Sequence, residues 1–365
     1  MEIGSVIEFD NWEMYKNIEN EKLFYLPFMK NNKYKTVMYQ SGRNAIEILM
    51  KYFIEKLNIN KILLPDYICT TVVEAVSRAK MQYQLYSVNR NFECDIMQIE
   101  NEINKGINCI YIVQYFGKKL PIQMIQAINA WKNKGIIIVE DITMALFSSD
   151  YTSVGFGNYV LGSIRKWLPI PDGGFISTKE KGLPNEQSIG NISKYTYYYT
   201  LVQTMKREYI EEDLSDVGLK ENYMNFYKMS IEELFSDYKI YPISQISKNY
   251  LFNYDMNKVI SKRIRNYDYL CNKIYGLSGI KVKIRREEGM VPFGMLIEST
   301  NRDNLLKYLI DNNIYCNVHW RLDERKQNSD IKYLSDSVIT IPCDQRYKEE
   351  EMDYIANVLE HWEKR

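Results

Sequence analysis

CIYIVQYFGKKLPIQMIQAINAWKNKGIIIVED, residues 109–141, is the stretch on which the fold turns. It opens on the apolar run Cys109–Val113 and closes on a second one, Gly135–Val139, followed by the paired acids Glu140 and Asp141. Between them, Pro121 starts a segment with apolar residues at 122, 125, 128 and 131, a helical spacing with proline at its favoured N-terminal position. A short apolar strand, a helix and a second short apolar strand form one crossover unit, and such units build parallel sheets buried on both faces.

The same alternation extends outward. KTVMYQ (35–40), KILL (61–64), MQYQLYSV (81–88), YVLGSI (159–164) and GGFIS (173–177) read as further strands. RNAIEILMKYFIEKL (43–57) and TTVVEAVSRA (70–79) read as helices. The predicted fold class is therefore α/β with a mainly parallel sheet. KEKGLPNEQSIG (179–190) interrupts this block, and residues 191–273, rich in Tyr, Lys and Glu, read as largely helical. IKVKI (280–284), VPFGMLI (291–297), RDNLLKYLIDNN (302–313), IYCNVHW (314–320), VITIP (338–342) and a helix from 348 predict a second, smaller α/β unit. The expected division is a large domain over 1–190, a helical connection over 191–273 and a small C-terminal domain over 274–365.

Composition narrows the chemistry. With 47 basic and 47 acidic residues in 365, the net charge is zero, so no basic surface is on offer to nucleic acid or an anionic membrane. No apolar run reaches the ~18 residues of a spanning helix, and the acidic start MEIGSVIEFDNWE does not resemble a signal peptide. Cys69, Cys94, Cys109, Cys271, Cys316 and Cys343 form no C-x-x-C pair and read as reduced, mostly buried thiols of a cytoplasmic protein. His319 and His361 are the only histidines, which rules out a multi-histidine metal centre; His361 reads as a surface residue of the last helix.

Three places could carry chemistry. Ser41-Gly42-Arg43 joins a strand to a helix, where free N–H groups and the positive dipole end suit a phosphate, although a serine N-cap on a tight turn has the same sequence. Glu140-Asp141 ends a parallel strand, the edge at which α/β proteins bind ligands, or else caps the next segment. LGSIRKWLPIPDGG (161–174) sets Lys166 in an apolar, irregular stretch with Ser163 three residues before it. Desolvation there would yield a usable amine, although most lysines are surface charges. Taken in order, the three are the parts that hold pyridoxal phosphate. The tyrosine run SKYTYYYTLVQ (193–203) reads as helix packed in the core or between subunits, and KREYIEED and YKEEEMD read as solvated helix faces.

These motifs resemble those of the DegT/DnrJ/StrS family of sugar aminotransferases, which are fold-type-I enzymes dependent on pyridoxal 5'-phosphate. SGRNAIEIL is similar to the family's SG-x-x-AL segment, ILLPDYICTTVVEAV, YIVQYFG and IIIVEDITMAL to its following motifs, and GSIRKWLPIPDGG to its lysine segment. The resemblance runs in order from about 35 to 345. It implies a large domain with a mainly parallel sheet, a small C-terminal α/β domain, and a homodimer. It also implies amino transfer from an amino acid to a keto group, with a nucleotide-linked sugar for polysaccharide assembly as the expected acceptor.

By position, Lys166 falls where the family has its Schiff-base lysine, and Asp141 where it has the partner of the pyridine nitrogen. Ser41, Gly42, Arg43 and Ser163 fall at the phosphate, and Gln114 where relatives place His or Asn near the cofactor. Met144 stands where many relatives carry Gln or His, so that either Thr143 takes over the contact to the cofactor hydroxyl or the contact is absent. Cys69 falls at the ring-stacking position, with Tyr67 as the alternative. His319 falls at the substrate mouth, and IYP (240–242) stands where the family carries N-Y-R. A lyase, a dehydratase or an amino-acid aminotransferase would share the same lysine and acid; a catalytically degenerate binding protein is the other alternative, favoured by the departures at Met144 and Cys69 and opposed by the joint presence of Lys166 and Asp141.

Overall fold

The computed structural model describes residues 2–16, 24–30, 34–149, 154–184, 192–212, 216–322 and 328–364. Part of the expected interruption at 179–190 thus lies outside the described residues. The chain opens with a two-residue strand, β1 (Ile3–Gly4), followed by β2 (Lys35–Tyr39), α1 (Gly42–Leu57), β3 (Lys61–Pro65), α2 (Thr70–Arg78), β4 (Gln82–Tyr86), α3 (Ile96–Asn104) and β5 (Cys109–Val113). Next come α4 (Ile122–Asn133), β6 (Ile137–Asp141), β7 (Tyr159–Ser163) and β8 (Gly174–Thr178). Four helices follow: α5 (Lys194–Glu211), α6 (Val217–Ser236), α7 (Gln245–Asn253) and α8 (Met256–Lys273). The C-terminal part holds β9 (Lys281–Val282), β10 (Met295–Glu298), α9 (Arg302–Asp311), β11 (Ile314–Tyr315), α10 (Ser329–Ser337), β12 (Val338–Ile341) and α11 (Glu349–Glu363).

Seven strands form the main sheet in the order β2-β8-β7-β6-β5-β3-β4. The four pairings from β7 to β4 are parallel, and β8 runs antiparallel to both β7 and β2. Every residue of β5, β7 and β8 is buried, the pattern of strands covered on both faces. One face packs under α1, α2 and α4 through residues such as Ile46, Leu49, Val76 and Trp131. The other is covered by Phe28, Trp167, Tyr250 and Val259. Each such side chain contributes ~1.5–3 kcal/mol of transfer free energy, and this contiguous core positions the strand ends.

The C-terminal part has its own core, with β12-β10-β9 packed by α8, α9 and α11 around Leu270, Leu305, Ile339 and Leu359. β1 pairs in parallel with β11, so Ile3 is buried in this core. Among the described residues no helix is long and apolar enough to cross a membrane.

The structure departs from the sequence reading in several places. The strand expected over 314–320 ends at Tyr315; Asn317 makes one bridge to Thr340, and the chain then turns inward so that Trp320 packs on Tyr67. The strand expected from 291 begins at Met295, because the carbonyls of Pro292 and Phe293 accept from Arg263 instead of a ladder partner. In α4 the buried stripe is 124, 127, 128 and 131, and Ile122 is 60% exposed; the large Trp131 side chain sets the rotation of the helix. α3 and α10 had no sequence assignment. Lys206, read as part of a solvated face, is 1% exposed, because the N-terminal arm lies over α5 and its Gly4 and Val6 carbonyls accept from Nζ. Of the six free cysteines only Cys109 and Cys343 are fully buried, fewer than their apolar settings suggested.

Candidate active site

The parallel strands β5, β6 and β7 all end on one side of the sheet, and the cavity forms there. Successive strand residues point to opposite faces, so the adjacent acids Glu140 and Asp141 part company. Glu140 is fully buried; its carboxylate accepts from the Gly155 and Gly157 N–H groups at 3.0 and 2.8 Å and from Gln114 Nε2 at 3.1 Å. Burial pushes its carboxyl up to about 7. It is a structural tie for the 154–157 turn. Asp141 faces the cavity, where Oδ2 accepts from Tyr111 Oη at 2.8 Å and Oδ1 from the Thr143 N–H at 2.8 Å. The register that pairs Val113 with Asp141 puts Tyr111 beside it on the neighbouring strand.

Lys166 lies one short turn beyond β7, in the 3-10 segment Ile164–Lys166, and lines the same cavity of ≈ 230 Å³. Burial lowers its pKa and the Arg165 charge adds to this, against the opposing pull of Cys69 and Asp141. The uncharged amine is thereby favoured relative to a surface lysine.

α1 points its N-terminus into the cavity. Ser41 is the N-cap, its Oγ accepting from Asn44 N–H at 3.2 Å, and the first intrahelical bond runs from Ala45 N–H to Ser41 O. The N–H groups of Gly42 and Arg43 thus stand at the open first turn, opposite Ser163. β8 runs against this turn so closely that a Cβ on Gly174 would collide with the backbone of Ser41 and Gly42, which is why glycine stands there. Arg43 sends its Nη1 to the Leu234 carbonyl of α6 at 2.8 Å and lays its guanidinium 4.4 Å over Phe235.

Of the residues singled out in the sequence, the fold brings Ser41, Gly42, Arg43, Cys69, Asp141, Thr143, Ser163 and Lys166 around one cavity. Gln114 is not part of its lining; fully buried, it bonds to Glu140 and gives its N–H to the Asp141 carbonyl. His319 lies behind the lining, with Nδ1 2.9 Å from Thr340 Oγ1 and its ring edge against Phe116 and Phe293. Burial and the Lys166 charge hold its imidazole down at about 3. Tyr67 is fully buried, donates to the His319 carbonyl and is not in the lining, where the aromatic side chains are Trp320 and Phe235.

Sequence reasoning missed Tyr111, Arg165, Trp320 and the apolar wall Ile231, Leu234 and Phe235 from α6. Arg165 alone carried a local signal, its place beside the lysine. A larger groove of ≈ 720 Å³ beside the N-terminal arm has its arginines paired, Arg346 with Glu8 and Arg207 with Glu211.

This sheet order, with an acid at the end of β6, a half-buried lysine just after β7 and a helix N-terminus between them, is the architecture of the fold-type-I pyridoxal-phosphate-dependent transferases. Residues 8–180 match the model of the DegT/DnrJ/EryC1/StrS aminotransferase family. Among solved structures it is similar to the sugar aminotransferase CalS13 of Micromonospora echinospora, with a TM-score of 0.61 and 13% identity over 89% of this chain and 87% of that one. It is similar too to the Helicobacter pylori aminotransferase PseC, involved in the biosynthesis of pseudoaminic acid, with a TM-score of 0.63 and 14% identity over 89% and 86%. A third is the E. coli GDP-4-keto-6-deoxy-D-mannose-3-dehydratase with bound hydrated PLP, with a TM-score of 0.60 and 17% identity over 89% and 87%. At these identities the likeness concerns the fold. No curated protein matches the chain by sequence.

Proposed function

We propose that this protein is a pyridoxal-phosphate-dependent aminotransferase that moves an amino group from an amino acid to a keto group, with a nucleotide-linked keto-sugar as the acceptor. The observation that carries the reading is the convergence of Lys166, Asp141 and the first turn of α1 on one cavity. The cavity fits the cofactor on its donor chemistry: open N–H groups and Ser163 for a phosphate, a carboxylate already held by two donors for a pyridinium N–H, and an amine favoured uncharged.

Pyridoxal phosphate, when bound, supplies an electron sink for the carbon that carries the amino group. The rest falls to side chains of this chain. Gly42 and Arg43 N–H, with Ser163, bind and orient the phosphate. Asp141, fixed in plane by Tyr111 and Thr143, holds the proton at the ring nitrogen. Lys166 Nζ, its ammonium form disfavoured by burial, would accept the proton from the α-carbon of the amino donor and, in the second half-reaction, deliver one to the former keto carbon of the acceptor. Cys69, Thr143 and Trp320 shape the cavity around the ring, and His319, held neutral behind Trp320, supports the substrate side.

The proposal extends to a homodimer working in the cytoplasm on small molecules, with residues 1–190, 191–273 and 274–365 as large domain, connection and small domain, and its aminated sugar passing to polysaccharide assembly. The free cysteines are in keeping with the compartment. Exposed apolar side chains on α5 and α6, among them Tyr197, Met224 and Phe235, offer a face for a second copy.

The test is spectroscopic. Purified protein should carry a visible cofactor band that Lys166→Ala abolishes and that an amino donor bleaches, with a panel of keto-sugars and 2-keto acids naming the acceptor. A protein that takes up no added pyridoxal phosphate would overturn the reading, and a band that no amino donor perturbs would leave a binding protein in its place.

A further inference from the structure

Three cationic side chains line the cavity, Arg43, Arg165 and Lys166, against one acid, Asp141, whose oxygens already accept from Tyr111 and Thr143. Lys166 has a role in the reading above. The guanidiniums of the two arginines do not, and each is held in a way that leaves donors over. Arg43 rests 4.4 Å over Phe235 and spends Nη1 on the Leu234 carbonyl. Arg165 sits 5.6 and 5.8 Å from the ring centres of Tyr195 and Tyr199 and shares a hydrogen bond with the Tyr199 hydroxyl.

Aromatic groups thus hold the guanidiniums, whose N–H edges carry the recognition chemistry. The Nε of each is buried and without a hydrogen-bond partner among the described residues. The acids that act on them do so without a salt bridge among those residues, Glu74 on Arg43 and Asp172 on Arg165, and Asp172 is bonded to Thr196, Ser244 and Ser247. The two guanidiniums are also like charges that act on each other, and an anion between or beside them would relieve that repulsion.

We infer that Arg43 and Arg165 form a side-chain clamp on the phosphate of the cofactor, completing with two charges the cradle begun by the α1 N-terminus and Ser163. The inference rests on the proposed function for the identity of the ligand. Two features favour the phosphate over another anion. Arg43 stands on the first turn of α1, and Arg165 follows Ser163 by two residues, so both guanidiniums spring from the segments that carry the phosphate-binding groups. Two fixed positive charges also match a phosphate dianion, whereas a substrate carboxylate carries one negative charge. Ile231, Leu234 and Phe235 line this end of the cavity with apolar surface, which leaves the guanidiniums few competing polar partners there.

The test compares two ligands that differ only in the phosphate. Full-length protein stripped of cofactor is titrated with pyridoxal phosphate and with pyridoxal, following tryptophan fluorescence, in wild type, Arg43→Gln, Arg165→Gln and Arg165→Lys. Each glutamine variant should weaken pyridoxal phosphate on the order of 10- to 100-fold while leaving pyridoxal unchanged, and lysine at 165 should recover part of the loss. Inorganic phosphate should raise the melting temperature of the stripped wild type and fail to raise that of the double glutamine variant. Equal losses for both ligands would overturn the clamp in favour of a folding role. Unchanged pyridoxal phosphate affinity with a raised KM for the amino donor would overturn it in favour of a carboxylate seat. If wild type binds inorganic phosphate in an arginine-dependent way but no pyridoxal phosphate, the clamp stands as an anion seat and the proposed function falls.

Discussion

Gly174→Ala is the sharpest perturbation of the candidate site that leaves every polar group in place. Gly174 is paired with Tyr39 on one side and Ser163 on the other, and its α-carbon faces the turn where α1 begins. A Cβ there would sit well inside 3.0 Å from the Ser41 carbonyl group and the Gly42 nitrogen, a separation that real Cβ atoms essentially never show. The obstacles are backbone atoms, so no rotamer change relieves the clash; β8 and the α1 N-terminus must part by roughly 1 Å, at an overpacking cost near the upper end of the usual range, ~3 kcal/mol. At ~2 °C per kcal/mol for a chain of this size, the melting temperature should fall by ~6 °C.

The functional loss should exceed the stability loss, because the displacement separates the Gly42 and Arg43 N–H groups from Ser163 on β7. A misplacement of ~1 Å at a positioning group is of the size that costs about 100-fold in rate. The assay is a thermal melt of stripped protein, a titration with pyridoxal phosphate, and an amino-transfer rate at saturating cofactor. Gly279→Ala is the control, since a Cβ there meets nothing within 4 Å and should leave all three readings unchanged. A Gly174→Ala protein with the wild-type melting temperature and cofactor affinity would refute the close approach of β8 to the helix turn, and with it the way the cradle is built.

Two further outcomes follow from the same geometry. Tyr111→Phe removes the donor to Asp141 Oδ2 inside the core, which should cost ~1.5–3 kcal/mol in urea unfolding with an unchanged m-value and weaken the cofactor as well; an unshifted midpoint would mean that Asp141 is held by other groups. His319 is held down at about 3 when folded, against 6.5 unfolded, so as pH falls through 6.5 the unfolded chain takes up a proton that the folded one refuses. Stability should therefore decline toward acid, by up to ~3 kcal/mol at pH 4, and His319→Asn should remove that part of the decline. Parallel acid denaturation of the two proteins would show that the imidazole is not buried as described.

Much of the fold could be read from local pattern. β3, β5, β6, β7 and β8 lie within a residue or two of the runs that predicted them, and α1 and α2 likewise, because the strands are short continuous apolar runs and the helices repeat their apolar residues at a period of 3.6. The failures share a cause. IYCNVHW has the composition of a strand, yet Trp320 gains more from packing on Tyr67 than the backbone gains from continuing a ladder. Lys206 lies in a charged run, and only the N-terminal arm folding back over α5 makes it a buried residue. α3, with its single fully buried residue Ile99, leaves too faint a stripe to be read.

What the sequence determined by itself was the set of parts: a helix start at Ser41-Gly42-Arg43, an acid at the end of an apolar strand, and a lysine after another, in an order that matched a known family. Each of these is a local property of a few consecutive residues. What only the tertiary structure decided was which groups face one another. It separated Glu140, which ties down a turn, from Asp141, which faces the cavity. It set Tyr111 against Asp141 through strand register, and it put His319 behind the cavity wall and Trp320 within it. It also laid α6 against the first turn of α1, so that Arg43 bonds to a carbonyl 191 positions further along the chain. These are long-range contacts, fixed by how the sheet stacks its strand ends and by which side chains the core excludes from water, and no stretch of local sequence contains them.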